Sequence, residues 1–575
     1  MRFTRWDQQI STESSNEVLF LLADWHLSEV LNPSTDFEVV CLALLERDLW
    51  VLCHHDLSSG HTANDHYHLY QILAFFKKRR DLEIGIDKKA VSEATFMGSE
   101  KLCKETNDLF RSYSRGGFYF LPRVESVIYG AQRKISKILG DLPSISELRL
   151  RFGPGATTQL KKRDASARRK LSSRFSCNGN AVRFLEDLAA ECPDWFGVKP
   201  DGSATFQLDI EDERVEFVPK SAKTYRKIAK APLLDTFVQL GIGDFMSDRL
   251  RLAGVDLRDQ TLNQRLAREG SITGALATLD LSSASDTIAC GLVESLLPFD
   301  WWDFLRSFRS SGTITDKGRI ILQSFASMGN GFTFPLETLI FYSLAHSCVQ
   351  SLGLDCSKIA VYGDDIIVPV EGVSLLIECL TACGFVVNKS KSFWNGTYRE
   401  SCGKDYVSGI DVRPCFIKDT LSGHQWFVLH NYYVRTNQPE PAEIVLTMID
   451  ESLALWGPDG YGDGHLIGDY DPCPFNRHLG WGGFTFETYT YKSRRAFYAL
   501  GADYVYPSYS IYMKGDGHSS DSLFREKLRK RDVHGVLRPE RSDSEYIGHS
   551  GRTVLRDTLP GVDGYKRIKI YTLGR

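Results

Sequence analysis

The middle third of the chain alternates short apolar runs with patterns of helical period, and that alternation predicts its elements. Leu276–Leu281 reads as a strand and Ala284–Leu297 as a helix. Phe334–Gln350 reads as a second helix, apolar on most sides and therefore buried. Lys358–Val361 and Ile366–Val370 are β-rich runs separated by Tyr362-Gly363-Asp364-Asp365, which predicts a hairpin with acids in its turn. Val373–Cys383 fits a helix stopped by Gly384, and Phe385–Val387 a short strand. Together these predict an α+β unit, an antiparallel sheet backed by helices. The C-terminal quarter is rich in Gly, Tyr, Trp and Pro (WGPDGYGDGH, HLGWGGF), which predicts loops and a separate lobe.

Composition adds bounds. At roughly 100–200 residues per domain, 575 residues predict about three to five lobes. Lys plus Arg number 69 against 73 Asp plus Glu, a net charge of −4, which excludes a uniformly basic coat but not a basic channel. No apolar stretch approaches ~18–20 residues, so no membrane span is expected. The start, MRFTRWDQQISTESSNEV, does not read as a secretion signal. Thirteen cysteines without a CxxC spacing read as reduced thiols of a cytosolic protein, with Cys379 and Cys383 in the core.

Charge is unevenly spread. Arg149 to Arg174 holds nine basic residues and one acid, Asp164. Val218 to Lys230 holds Lys220, Lys223, Arg226, Lys227 and Lys230 with no acid, and Arg525 to Arg531 is a third, mixed cluster. Acid-poor clusters in an acidic chain point to a groove for a polyanion. Cys53, His54, His55, His61, His66 and His68 offer possible zinc ligands, but no CxxC or HxxxH frame organises them. Surface histidines and a buried cysteine are the expectation there.

Three acidic or glycine-rich elements carry the chemistry. Adjacent carboxylates in the Tyr362–Asp365 turn repel unless a cation sits between them, and all-oxygen ligands favour Mg²⁺ over Zn²⁺. Thr278-Leu279-Asp280-Leu281-Ser282-Ser283-Ala284-Ser285-Asp286 places Asp280 in an apolar strand, expensive for a carboxylate unless paired or metal-bound, and Asp286 at the next helix start. Ser327-Met328-Gly329-Asn330-Gly331-Phe332-Thr333 allows a bent loop feeding a helix.

In chain order these elements resemble motifs A, B and C of right-hand nucleic-acid polymerases. Val218–Arg226 resembles motif F of viral RNA-dependent RNA polymerases, and Glu400–Tyr406 resembles their motif E. With SSASD, SMGNGFTFPLET and YGDD, plus GPGAT at Gly153–Thr157 and QLGIG at Gln239–Gly243, the chain closely resembles the replicase catalytic β subunit of small positive-strand RNA bacteriophages, the Qβ type. The resemblance runs from about Phe152 to Asp469.

That resemblance implies a right hand: an N-terminal region 1–70, fingers 71–270 with a basic template and nucleotide channel, a palm 271–420, and a thumb with a C-terminal lobe 421–575. It implies Asp280, Asp364 and Asp365 as ligands of two Mg²⁺ ions, with Mn²⁺ able to substitute. Asp286 and Asn330 would test the ribose 2′-hydroxyl, helped by Ser327 or Thr333, with Gly329 in the same nucleotide-binding loop. Lys223 and Arg226, with Lys220, would hold the triphosphate. Lys391 would protonate pyrophosphate, with Lys389 as the alternative.

The implied activity is synthesis of RNA on a single-stranded RNA phage genome from ribonucleoside triphosphates, in the cytoplasm of an infected bacterium. The implied partners are template and product RNA, host elongation factors Tu and Ts, and a host ribosomal RNA-binding protein, with no membrane. A reverse transcriptase is the enzymatic alternative, and the acid–amide pair Asp286 and Asn330 argues against it because a DNA-making enzyme needs a bulky gate against the 2′-hydroxyl. A non-catalytic RNA-binding assembly protein is the other alternative, and it leaves the three aspartates unexplained.

Overall fold

The computed structural model describes residues 5–58, 60–204, 206–471, 473–474, 484–495 and 558–572. Helix starts follow local chemistry. Ser11, Ser34, Asp48, Thr62 and Asp87 each turn a side-chain oxygen onto a backbone N–H of the first turn. Ser422 and Gln425 form a reciprocal capping box. Pro122 opens the next long helix, Pro122–Leu139, whose Val124, Val127, Ile128, Ala131, Ile135 and Ile138 recur at helical spacing and are buried.

Two cores result. One joins helices Thr12–Ser28, Thr35–Leu45 and Ala63–Lys77 to helices Gly423–Arg435 and Pro439–Thr447, through Leu19, Phe76, Trp426 and Tyr433. Trp6 stacks on Tyr489 at 5.5 Å and meets Tyr565 at 5.9 Å, so the described C-terminal strands, Phe484–Arg495 paired with Thr558–Thr572, close on the N-terminal helices. The described residues of the stretch read from composition as a separate lobe thus share a core with the first seventy-odd residues, while most of its HLGWGGF run lies outside the described residues. Neither set of short apolar faces could bury itself alone.

The other core wraps helices Lys88–Ser114, Pro122–Leu139, Leu233–Leu252, Thr333–Ser351 and Val373–Ala382 around a three-stranded antiparallel sheet. Its central strand, Asp365–Pro369, pairs with Leu276–Leu279 on one side and Ala360–Tyr362 on the other. The Thr333–Ser351 helix is buried along nearly its whole length behind this sheet. A four-stranded sheet, Tyr225–Lys230, Glu213–Pro219, Gly312–Thr315 and Gly318–Ile321, lies beside it. The architecture is α+β, as the sequence predicts.

Two predicted elements are broken. The strand expected over Leu276–Leu281 stops at Leu279, and Leu281–Ser282 pairs instead with Val386–Val387. Between them the Asp280 N–H donates to Ser392 Oγ and its carbonyl accepts from Asn388 N–H, so a loop replaces the neighbouring strand. The helix expected over Ala284–Leu297 divides into a 3₁₀ turn, Ala284–Thr287, and a helix, Cys290–Leu296. Phe325 N–H donates to Ile288 O and Cys290 N–H to Gln323 O, holding the intervening residues extended. Partners distant in sequence overrode the local apolar run.

Candidate active site

The Tyr362–Asp365 pairing leaves Gly363 and Asp364 as the hairpin turn. Gly363 is left-handed (φ 61°) and its N–H donates to Thr338 Oγ1 at 3.0 Å. Phe334 meets Tyr362 edge-on at 5.0 Å, so the buried Thr333–Ser351 helix braces the turn from behind. The pairing ends with Ile366 opposite Leu279, so Asp280 and Asp365 both lie just beyond that ladder at this end, where Asp365 feels the Asp280 charge. Three carboxylates from two chain segments thereby share one end of the sheet.

Their environment is electrostatically costly. Burial raises the Asp280 carboxyl above its ordinary value and Asp364 adds to the rise, while Lys391 and Asn388 oppose it. Asp365 is pushed up to about 6 by burial, with Asp364 and Asp280 adding repulsion. Asp365 Oδ2 accepts from Cys402 N–H at 3.1 Å, which ties this acid to the Tyr398–Ser401/Lys404–Val407 hairpin. Lys391 Nζ stands 3.6 Å from Asp280 Oδ2, and Asn388 Nδ2 donates to the same oxygen at 3.0 Å. Burial alone would lower the Lys391 ammonium, but Asp280, Glu400 and Asp364 outweigh it and its pKa is raised.

Among the described residues, no three His, Cys, Asp or Glu side chains are gathered tightly enough to hold an ion as they stand. The donor set nevertheless fits a hard divalent cation: all oxygen, mutually repelling, and in partial burial where a positive charge relieves the strain.

The Ser327–Thr333 loop lies against strand Tyr225–Lys230. Ala229 N–H donates to Met328 O at 2.8 Å, and Gly329 (φ 119°) comes so close that a Cβ would sit 2.3 Å from Ala229 O. Ser327 Oγ donates to Glu213 Oε1 at 3.1 Å, and Thr333 Oγ1 donates to Ser327 O at 2.9 Å, so both hydroxyls are engaged inside the protein. Asn330 Oδ1 accepts from Phe332 N–H at 3.0 Å. Behind this loop Gly243 packs directly on it, since a Cβ there would lie 2.4 Å from Gly331 O.

Asp286 is ion-paired: Lys227 Nζ lies 2.9 Å from its Oδ1, and only 4% of the Lys227 side chain is exposed. Sequence reading counted Lys227 in a basic cluster without assigning it a role. A second residue it missed is Glu337, a buried acid that accepts from Ser285 Oγ at 2.6 Å. Burial pushes Glu337 up to about 8, with Asp364 and Asp286 adding to the rise. Its signal was present as a lone acid within the apolar run of the predicted helix.

The cationic residues divide. Lys220 is close enough to Asp280 and Asp364 to feel both; burial, Arg226 and Lys391 lower its pKa and those acids oppose the fall. Arg226 is exposed on its strand, opposite Val218 in register. Lys223 instead neighbours Asp56 and Lys77 near the N-terminal helices. Lys389 carries no described bond to the aspartates. In the Arg149–Arg174 cluster several charges are consumed by the fold: Arg149 pairs with Asp248, Arg151 with Asp244, and buried Lys170 donates to the Gly153 and Gly155 carbonyls. Lys161, Lys162 and Arg174 stay exposed. The Arg525–Arg531 cluster lies outside the described residues.

The histidine-rich stretch departs from the expectation of surface rings. His66 and His68 are buried, and His61 and His55 both bond Asp36, at 2.7 and 2.8 Å. Cys53 is buried as expected and donates to Phe76 O. The cysteines whose side chains are described are free thiols, and no described helix is long and apolar enough to cross a membrane.

The model of the family "RNA replicase, beta-chain" matches residues 37–436, reaching well upstream of Phe152, where the motifs begin to resemble it. The chain is 38% identical over 428 residues to the RNA-directed RNA polymerase subunit beta of Escherichia virus Qbeta, covering 70% of each chain. It is 36% identical over 414 residues to the protein of the same name from Enterobacteria phage SP, covering 68% of this chain and 69% of that one. Among solved structures, the RNA-dependent RNA polymerase of BmCPV at elongation state aligns with a TM-score of 0.36 and 12% identity, over 57% of this chain and a third (33%) of that one.

Proposed function

We propose, from the premise that this chain belongs to the RNA replicase β-chain family, that it copies a single-stranded RNA phage genome from ribonucleoside triphosphates at the Asp280–Asp364–Asp365 end of its sheet. The chain is an RNA-directed RNA polymerase. The observation that carries the placement is the convergence of three partly buried, mutually repelling carboxylates with Lys391 at 3.6 Å from one of them.

In this reading Asp280, Asp364 and Asp365 hold divalent cations, two Mg²⁺ ions with Mn²⁺ able to substitute. Such ions, when bound, supply Lewis acidity to the attacking and leaving oxygens. The RNA 3′-hydroxyl gives its proton to solvent and its oxygen forms a bond to the α-phosphorus as the bond from that phosphorus to pyrophosphate breaks. Lys220 and Arg226 hold the triphosphate, with Lys223 further out, and Lys391 gives its proton to the departing pyrophosphate. Asp286 and Asn330 accept and sense the ribose 2′-hydroxyl, on a loop shaped by Ser327, Gly329 and Thr333.

The division into fingers 71–270, palm 271–420 and thumb beyond 421, after an N-terminal region 1–70, belongs to the same proposal. So do a bacterial cytoplasmic location and a complex with host elongation factors Tu and Ts and a ribosomal RNA-binding protein; the "subunit beta" of the relatives' names supports a complex without naming its members. The test is labelled-nucleotide incorporation on a C-rich RNA template with Mg²⁺, by the purified chain with and without bacterial lysate. Ribonucleotide incorporation lost in Asp364→Asn, with RNA binding intact, is expected. Preferential use of deoxynucleotides, or undiminished synthesis by Asp364→Asn, would overturn the reading.

A further inference from the structure

Lys227 is a lysine with almost no access to water. Its ammonium lies 2.9 Å from Asp286 Oδ1 and 4.5 Å from the centre of the Phe96 ring, and 4% of the side chain is exposed. An ammonium so placed persists only where an anion compensates it. Two acids do so. Asp286 is the direct ion-pair partner, although neither Lys227 Nζ nor Asp286 Oδ1 is in hydrogen-bonding geometry, and Glu213, itself buried, feels the same charge while it accepts the Ser327 hydroxyl.

The backbone around Lys227 is equally committed. Lys227 sits opposite Phe217 in strand pairing, and its second neighbour Ala229 donates its N–H to Met328 O. One strand therefore touches both elements that sense the sugar: the Ala284–Thr287 turn through the Lys227 side chain, and the Ser327–Thr333 loop through its backbone. The side chains of its neighbours, Arg226 and Ile228, are more exposed, as strand alternation requires.

We propose that Lys227 is a positioning residue for sugar selection: by holding Asp286 Oδ1 it fixes the carboxylate so that Oδ2 accepts the ribose 2′-hydroxyl. The inference rests on the proposed role of Asp286. The 2′-hydroxyl donates its proton toward Oδ2; no bond is made or broken. Without the ammonium, the carboxylate can turn toward water, and Oδ2 is no longer held where the sugar is read. A ribonucleotide then loses a charge-assisted hydrogen bond that a deoxynucleotide never made.

The test uses the full-length chain purified from a bacterial host with any subunits it retains, extending a primed RNA with ATP or 2′-deoxy-ATP. Lys227→Met keeps the apolar stem against Phe96 and removes the charge. It is expected to shrink the ribose preference, read as the ratio of kcat/KM values, by about tenfold or more, the scale of one charge-assisted hydrogen bond. Lys227→Arg should keep the ratio within about threefold of wild type. If Lys227→Met does not fold, Phe96→Leu, which loosens the ammonium without removing it, should move the ratio the same way by a smaller factor. A Lys227→Met enzyme that loses ATP and 2′-deoxy-ATP incorporation by the same factor, while Asp286→Asn changes the ratio, overturns the inference and leaves the polymerase reading intact. A ratio untouched by Asp286→Asn overturns the role of Asp286, and this inference with it.

Discussion

Gly363→Ala tests whether the turn that carries Asp364 is braced as the geometry implies. A Cβ at this position would lie 2.5 Å from Phe334 Cε2 and 3.2 Å from Glu337 Oε1. An ordinary carbon–carbon contact is about 3.5 Å, so ring or turn must retreat by about 1 Å. The ring cannot swing away without leaving Tyr362, which it meets edge-on at 5.0 Å on the strand that enters the turn. The turn cannot rise without loosening the Gly363 N–H bond to Thr338. Alanine at φ 61° adds about 1–2 kcal/mol of backbone strain. That sum is small for global stability but falls where the carboxylates are placed. A misplacement of about 1 Å in a reacting site costs on the order of a hundredfold, or about 2.7 kcal/mol of barrier. Primed RNA extension by Gly363→Ala should therefore drop about a hundredfold while its denaturant midpoint stays near wild type. Removing the obstructing ring in Gly363→Ala/Phe334→Ala should restore a substantial part of that loss, a coupling that a double-mutant cycle reads directly. Activity of Gly363→Ala within about threefold of wild type, or a double variant no better than the single, would refute the bracing argument.

Two further outcomes follow from the same packing. Glu337 is held protonated up to about pH 8 in the fold against an ordinary carboxyl value of 4.5, so the folded chain binds one more proton than the unfolded chain between those values. Its contribution is fully present below 4.5 and is lost as pH rises toward 8, at about 1.4 kcal/mol per pH unit, and Glu337→Gln should flatten the stability profile by about that slope. Superimposable unfolding-versus-pH profiles for the two proteins would contradict the burial of a protonated acid. Gly243→Ala should lower stability, since the clash outweighs the up to about 1 kcal/mol of helix propensity it gains, and should lower RNA synthesis about tenfold or more, because its Cβ would press on Gly331 O at 2.4 Å and displace Asn330. Thermal melting beside primed extension separates those effects, and unimpaired synthesis would show that the loop yields.

What could be read from the sequence was what short-range pattern encodes. The hairpin around Gly363 and Asp364, the buried Thr333–Ser351 helix and the Val373–Ala382 helix follow from periodicity and turn chemistry within a few residues. What stayed hidden depended on partners far along the chain. Arg151 looked like channel lining, but its forked bond runs to Asp244, 93 positions away. Asp280 looked like a strand residue because the loop that captures its backbone, Asn388 to Ser392, lies 112 positions on at its far end. The shared core of the N-terminal helices and the Gly423–Arg435 helix has the same character, since each contributes an apolar face that names no partner.

The hidden contacts and the legible motifs meet in one physical arrangement. Each loop to which a role is proposed is held through its backbone: Gly363 N–H on the Thr338 hydroxyl, Met328 on Ala229, Gly331 on Gly243, Asp280 on Asn388. At Gly243, Gly331 and Gly363 the approach leaves no room for a Cβ, and a backbone contact has no rotamers to relax. Side-chain charge is then spent where position alone is insufficient, on Lys227 against Asp286 and Lys391 against Asp280. A glycine at such an interface and a lysine buried beside an acid are two answers to the same requirement. An acid must stand in one place, with an oxygen free to bind, before any ligand arrives.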